Sequence, residues 1–255
     1  ARATADLAPE VGAGSPLVGV MLPYAPLHHL LFAAIPAEPT PVPDVLVMTS
    51  GNLSDEPICI DDADARARLA GIADAFVVHD RPIHVPCDDS VVRVVDGTAM
   101  PIRRSRGYAP IPVRLPVPTP GLLAVGGEQK NTFCVARGRD AWLSQHIGDM
   151  GSVSTLDAFE RSVRQFRDLY EVDPEHVAVD RHPGYHTTAW AHRSALAPVT
   201  EVQHHHAHLA ALMAEYELPI DAEIIAAVFD GTGYGDDGTI WGGEFLVGGY
   251  AHAQR

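Results

Sequence analysis

Five prolines, at positions 110, 112, 116, 118 and 120, crowd one short stretch of the chain. Each removes a backbone N–H and fixes φ, so no helix can run through them. The stretch is extended and reads as a Pro-rich linker over residues 109–120. It separates residues 1–108 from residues 121–255. With 255 residues, 46% of them hydrophobic, the chain can build a modest core on each side.

Before the linker, apolar runs alternate with short helical or loop segments. Strands are expected over Asp44–Met48, Ala75–His79, Ser90–Val95 and Met100–Arg103, with Asp61 capping a helix that runs to Ala70. Asp96-Gly97 signals a turn. After the linker, three short strands are expected over Leu122–Gly126, Thr132–Ala136 and Ala141–Ser144. An amphipathic helix follows, striped by Leu156, Phe159, Val163, Phe166 and Leu169 and capped by Ser154 or Thr155. Then come a strand at His176–Val179, a helix over Gln203–Glu217 striped by Leu209, Leu212, Met213 and Tyr216, and a strand at Glu223–Phe229. The fold class is α/β. Three strands, helix, strand, helix, strand is the order of one half of an actin-like ATPase domain, so the chain is expected to be a segment of a longer protein.

The helix over 203–217 opens on four histidines in five positions: His204, His205, His206 and His208. Residues i and i+4 share a helix face. His204 and His208 therefore offer two imidazoles to one ion, and zinc, iron or manganese all suit nitrogen ligands. No Glu follows the first His, so the zinc-peptidase pattern is not met. His205 and His206 point elsewhere. The strand at Glu223–Phe229 ends on Asp230, a carboxylate that fits the same ion. Gly231, Thr232 and Gly233, with Gly235 beyond, read as a glycine-rich turn able to bring backbone N–H groups to a phosphate. Asp236-Asp237-Gly238 is a hairpin turn leading to a strand at Thr239–Phe245.

The net charge of −15 argues against nonspecific nucleic-acid binding, which needs a basic surface. No apolar run reaches membrane-spanning length. Cys59, Cys87 and Cys134 are isolated and lack metal spacing, which fits a reducing, cytoplasmic setting.

Several long motifs resemble the HypF family, the carbamoyltransferases of [NiFe]-hydrogenase maturation. Val18–Leu31 (VGVMLPYAPLHHLL), Thr49–Ser54 (TSGNLS), Cys87–Arg93 (CDDSVVR) and Ile102–Pro110 (IRRSRGYAP) resemble its YrdC-like domain. Val125–Thr132 (VGGEQKNT), Ser144–Asp149 (SQHIGD), Asp180–Tyr185 (DRHPGY) and the histidine run resemble its actin-like carbamoyltransferase domain. The motifs lie in the family's order on both sides of the linker. The resemblance implies that 1–108 is the C-terminal part of a YrdC-like domain and 121–255 the N-terminal half of an actin-like one. It also implies a route. Carbamoyl phosphate is cleaved in an acylphosphatase-like domain, and carbamate reacts with Mg2+-ATP to give carbamoyl adenylate. The carbamoyl group then passes to the C-terminal cysteine of HypE, where it becomes a cyanide ligand.

The resemblance implies roles for particular residues. Ser50 and Asn52, with Thr49 and Ser90, are expected to hydrogen-bond carbamate or the α-phosphate. Arg103, Arg104 and Arg106 are expected to neutralise the triphosphate. Gly126, Gly127, Lys130, Asn131 and Thr132 form a hairpin turn of the kind that faces nucleotide phosphate. His204, His208 and Asp230 hold a transition metal, zinc or iron. His146, Asp149, Asp180 and His182 are polar groups expected near the same cleft. The acylphosphatase-like domain, the zinc modules, a basic Lys-x-Arg element and the distal actin-like half have no counterpart in these residues, so the segment alone is expected to be inactive. An antibiotic O-carbamoyltransferase carries the two domains in the opposite order. A tRNA threonylcarbamoyl-adenosine enzyme is expected to show a basic face, against the −15 charge. A non-catalytic metal-binding module would need the histidines alone.

Overall fold

A computed structural model describes residues 7–12, 14–34, 41–54 and 56–255. The chain forms two compact units, Ala1–Ser50 and Gly51–Arg255.

In the first unit, α1 (Pro9–Gly12) and α2 (Pro26–Leu31) bury no residue. The strand expected over Asp44–Met48 does not form, and Val45, Val47 and Met48 are exposed. Apolar alternation makes a strand only when a neighbour takes up the backbone N–H and C=O groups.

The second unit opens with α3 (Asp62–Leu69), where Asp61 caps as expected by accepting from the N–H groups of Ala63 and Asp64. Ala75–His79 is not a strand and is exposed throughout. β1 (Val91–Val95) and β2 (Thr98–Arg103) form a hairpin around Asp96-Gly97, with φ of 49° and 79°, as a type I′ turn requires.

The main sheet has the order β4-β3-β5-β6. The Pro-rich stretch is extended but is not a free linker. From Val113 it is already β3 (Val113–Ala124), paired antiparallel to β4 (Cys134–Leu143) through Val113↔Ala141 and Arg114↔Asp140. The ladder skips between Arg114 and Thr119, where Pro116 and Pro118 have no N–H to give, and Arg139 takes the carbonyls of Leu115 and Pro116 instead. Prolines are tolerated there because β5 (His176–Asp180) pairs only with Leu122–Ala124, further along β3. The second and third strands expected after the linker are one strand, β4, which bends at Gly138 (φ 61°) without ending.

α4 (Val153–Tyr170) is capped two residues earlier than expected, by Ser152, whose Oγ accepts from Thr155 N–H. Phe159, Val163 and Phe166 are buried against the sheet, while Leu169 is exposed and the next residue, Tyr170, packs on the core instead. α5 (His186–Ser194) and β6 (Val199–Val202) were not anticipated, being short and weakly patterned. α6 (His204–Glu215) buries Leu209 and Met213, not Leu212 or Tyr216, against β7 (Ile224–Tyr234) and β8 (Ile240–Gly248). β9 (Ala253–Gln254) completes that three-stranded sheet. Among the described residues, no helix is long and apolar enough to cross a membrane.

Candidate metal centre

β5 and β6 run parallel to β3, so their carboxyl ends lie on one side of the sheet. Asp180 ends β5, and Gln203 follows β6 as the N-cap of α6, its Oε1 accepting from His206 N–H. The cap fixes where α6 starts and therefore where its first turn points. Loops and helix starts at the carboxyl ends of parallel strands are where α/β proteins gather ligand-binding groups.

His204 Nε2 lies 3.1 Å from His208 Nε2 and 2.6 Å from Asp230 Oδ2, and His208 Nε2 lies 3.6 Å from that oxygen. Ligands about 2.0–2.2 Å from one ion lie roughly 3–3.5 Å apart; the two imidazoles have that spacing, and Asp230, nearer to His204 and slightly farther from His208, is close enough to join them on one ion. The i,i+4 pair and the strand-end carboxylate expected from sequence do come together.

The hydrogen bond to Asp180 raises the His204 imidazole above its ordinary pKa, and the charges of Asp180 and Asp230 add to it against the opposing effect of burial. Burial, with the His204 charge beside it, pushes His208 down and leaves its lone pair available. Burial pushes the Asp230 carboxyl up, but the backbone N–H groups of Thr232 and Gly231 and the two imidazoles outweigh it and hold the carboxyl ionised.

The glycine-rich turn requires correction. Residues 231–234 continue β7, with a register shift between Phe229 and Gly233. The N–H groups of Gly231 and Thr232 point at Asp230 Oδ1, at 2.5 and 3.3 Å, and help hold that carboxylate. A Cβ on Gly233 would strike the His205 ring, and one on Gly235 the Trp241 indole. Gly233 lets α6 lie close on the hairpin, and Gly235 makes room for the Trp241 indole within it. His205 is fully buried and donates from Nε2 to Gly242 O, and His206 Nε2 donates to Gly249 O. Both clamp the helix, away from the ion site.

The turn at 126–132 lies between β3 and β4. Gly126 has φ 73°, Lys130 has φ 48°, and buried Asn131 holds the turn through Nδ2 to the carbonyls of Val125 and Gly127. Lys130 N–H donates to Asp149 at 2.6 Å. The turn also holds Glu128, which the sequence reading passed over. Glu128 accepts from the main-chain N–H of His186 at 2.8 Å and sits 2.5 Å from its Nδ1, so it anchors the start of α5. Tyr185, also missed, lies beside Gly127 and stacks on His182. Burial, with Asp180, Asp230 and Glu128 nearby, raises its phenol. Tyr185 thus links the turn to the ion site. The signal for both residues was present in the VGGEQKNT and DRHPGY motifs.

The remaining expected groups are exposed or have local partners. Thr49 and Ser50 are exposed in the first unit. Asn52 gives its amide to the carbonyls of Leu53 and Glu56, a local turn. Ser90 Oγ donates to Arg106 O and accepts from Ser105 N–H, so its hydroxyl is committed to the fold. Arg103 meets Asp88, Arg104 reaches Ile111 O, and Arg106 reaches Cys87 O and Asp89. Asp88 also meets His146 Nδ1 at 3.1 Å, drawing His146 away from the ion site.

Three family models match this chain. The "HypF Kae1-like domain" covers residues 118–215, the "Carbamoyltransferase, Kae1-like Domain, second subdomain" covers 226–255, and the "Telomere recombination" model of the Sua5/YciO/YrdC group covers 1–105. The carbamoyltransferase HypF of Synechocystis sp. is 49% identical over 241 residues, 94% of this chain and 30% of that protein. The probable carbamoyltransferase HypF of Methanocaldococcus jannaschii is 36% identical over 90% of this chain and 29% of its own length. A full-length HypF crystallised in its phosphate- and nucleotide-bound form superposes with a TM-score of 0.85 at 46% identity, covering 93% of this chain and 36% of that one. The T. kodakarensis HypF crystal structure gives 0.85 at 40% identity, over 93% and 31%. The chain spans about a third of the length of these relatives.

Proposed function

The chain belongs to the HypF family, and from that premise we propose that it carries parts of two sites of an ATP-dependent carbamoyltransferase. Residues 121–255 hold the carbamoyl-transfer centre, with His204, His208 and Asp230 as ligands of a zinc or iron ion. Such an ion supplies a Lewis acid for a carbonyl or phosphoryl oxygen. The surrounding residues bind and orient. Gly126, Gly127, Lys130, Asn131 and Thr132 offer a rigid turn to nucleotide phosphate, and Tyr185 walls the space between that turn and the ion.

Residues 1–108 contribute to the adenylate site, where carbamate from carbamoyl phosphate meets Mg2+-ATP. Thr49, Ser50 and Asn52 orient the carbamate. Arg103, Arg104 and Arg106 exchange their present partners for phosphate oxygens, because a guanidinium fork fits phosphate better than a single carbonyl. The acceptor is the C-terminal cysteine of HypE, and the product is the precursor of the hydrogenase cyanide ligand. Residues 109–120 join the two parts.

The observation that carries this reading is the convergence of two imidazole Nε2 atoms and the Asp230 carboxylate. The test uses the full-length parent protein. A His204→Ala, His208→Ala variant is expected to stay folded and lose its bound metal; unchanged metal content removes the metal centre from the proposal. Carbamoyl-phosphate-dependent exchange of labelled pyrophosphate into ATP is expected in the wild type and absent in Ser50→Ala, Asn52→Ala. No exchange from folded, metal-loaded protein overturns the carbamoyltransferase reading.

A further inference from the structure

We propose that Asp180 is a positioning residue for the metal centre, fixing the tautomer and ring plane of His204 so that Nε2 is the atom presented to the ion. The inference rests on the metal-centre reading above.

Asp180 stands at the end of β5, on a different element from all three ligands, and its side chain is only 8% exposed. Its Oδ2 lies 2.5 Å from His204 Nδ1. Its Oδ1 accepts from His182 N–H at 2.8 Å, and its main-chain oxygen accepts from Thr188 Oγ1 at 3.0 Å. Both carboxylate oxygens are therefore occupied, and the residue is held from two directions. An ionised carboxylate can only accept, so Nδ1 must carry the proton. With Nδ1 taken by Asp180, Nε2 is the nitrogen left to face His208 and Asp230. A carboxylate behind a ligating imidazole also raises its basicity. Its charge would add to that of Asp230 in offsetting a bound dication. His208 is more exposed, at 55%, and its polar contacts among the described residues run through Nε2 alone. The centre is thus asymmetric, with His204 the rigid ligand and His208 the adaptable one.

The experiment measures Zn2+ affinity of the full-length parent protein by chelator competition, with the visible spectrum of the Co2+ form reporting coordination. Asp180→Ala is expected to weaken both metals about 10–100-fold while still saturating with one ion. Asp180→Asn keeps the shape but has one acceptor oxygen, so it holds Nδ1–H only by giving up the bond from His182 N–H, and its loss falls between wild type and Asp180→Ala; it also decides the question if the alanine variant fails to fold. Thermal unfolding of the metal-free proteins is read alongside. Affinity unchanged in Asp180→Ala, or in Asp180→Asn if only that variant folds, overturns the positioning role alone. An affinity loss matched by an equal loss of metal-free stability overturns it too, because it marks a structural residue. A wild type that binds no Zn2+ overturns the metal-centre reading itself.

Discussion

Gly233 is glycine because of what lies across from it. The His205 ring occupies the space a Cβ would need, and the ring is held by Gly242 O. Gly233→Ala must displace a packed side chain, and is expected to cost about 1–3 kcal/mol. Gly231 has no atom within 4 Å of its Cβ position, so Gly231→Ala is expected to stay within about 0.5 kcal/mol of wild type. Urea midpoints of the two variants check this, and the reverse order would sink the packing account. Residue spacing alone could not separate these two glycines. A phosphate turn and a strand lying close on a helix both call for glycine, and the difference lies in His205, which the sequence places nearby without saying where its ring points. Cys134 is a second residue-scale case. Burial pushes its thiol up to about 12, so almost none is thiolate at neutral pH. Iodoacetamide at pH 8 is expected to leave Cys134 unmodified in the native protein and to label it once urea unfolds the chain.

Between elements, the sequence was legible where one element carried the signal and silent where two had to meet. His204 and His208 could be paired because a helix brings i and i+4 together whatever surrounds it. Asp180 reaches His204 only because β5 and β6 are parallel neighbours, a fact of sheet order. The prolines of β3 misled for the complementary reason: proline forbids a helix but permits a strand with one unpaired side. Asp88 shows the same kind of meeting. It lies just before β1, and it pairs with His146 just after β4. The hydrogen bond from His146 holds its carboxyl below the usual range, with Arg103 assisting and burial opposing. A depressed folded pKa gives stability that is present above the unfolded value, about 3.9, and is lost as pH falls through the folded one. Asp88→Asn is therefore expected to destabilise by about 1–2 kcal/mol at pH 7, with the gap to wild type narrowing below pH 4. Denaturant midpoints across that range test it, and a gap that stays constant into acid removes the carboxylate from the account.

Across the whole molecule, the buried apolar residues among those described all lie from Leu123 to Leu246. Val20, Leu22, Val45, Val47, Ile72 and Val77, by contrast, are 67–79% exposed. Apolar periodicity in residues 1–108 suggested strands because pattern reports what a segment could bury, not whether a neighbour is present to bury it against. Protection of a backbone amide needs that neighbour: local opening is cheap where few apolar contacts resist it. Hydrogen exchange on this chain is therefore expected to separate two regimes. Described amides before β1 that lie outside α1, α2 and α3 should exchange fastest, whereas those of β4, α4 and β5 should open only with the global transition. Zn2+ extends the contrast, since its ligands sit on α6 and at the bend of β7. A ligand that binds only the folded form adds about 2.7 kcal/mol at a hundred times its Kd. That gain should appear as slowed exchange in α6, β7 and β8, which form the second core around Leu209 and Met213, and leave the amides before β1 unchanged. Uniform protection along the chain, or slowing before β1 on adding Zn2+, would show that stability is not distributed as the burial pattern dictates.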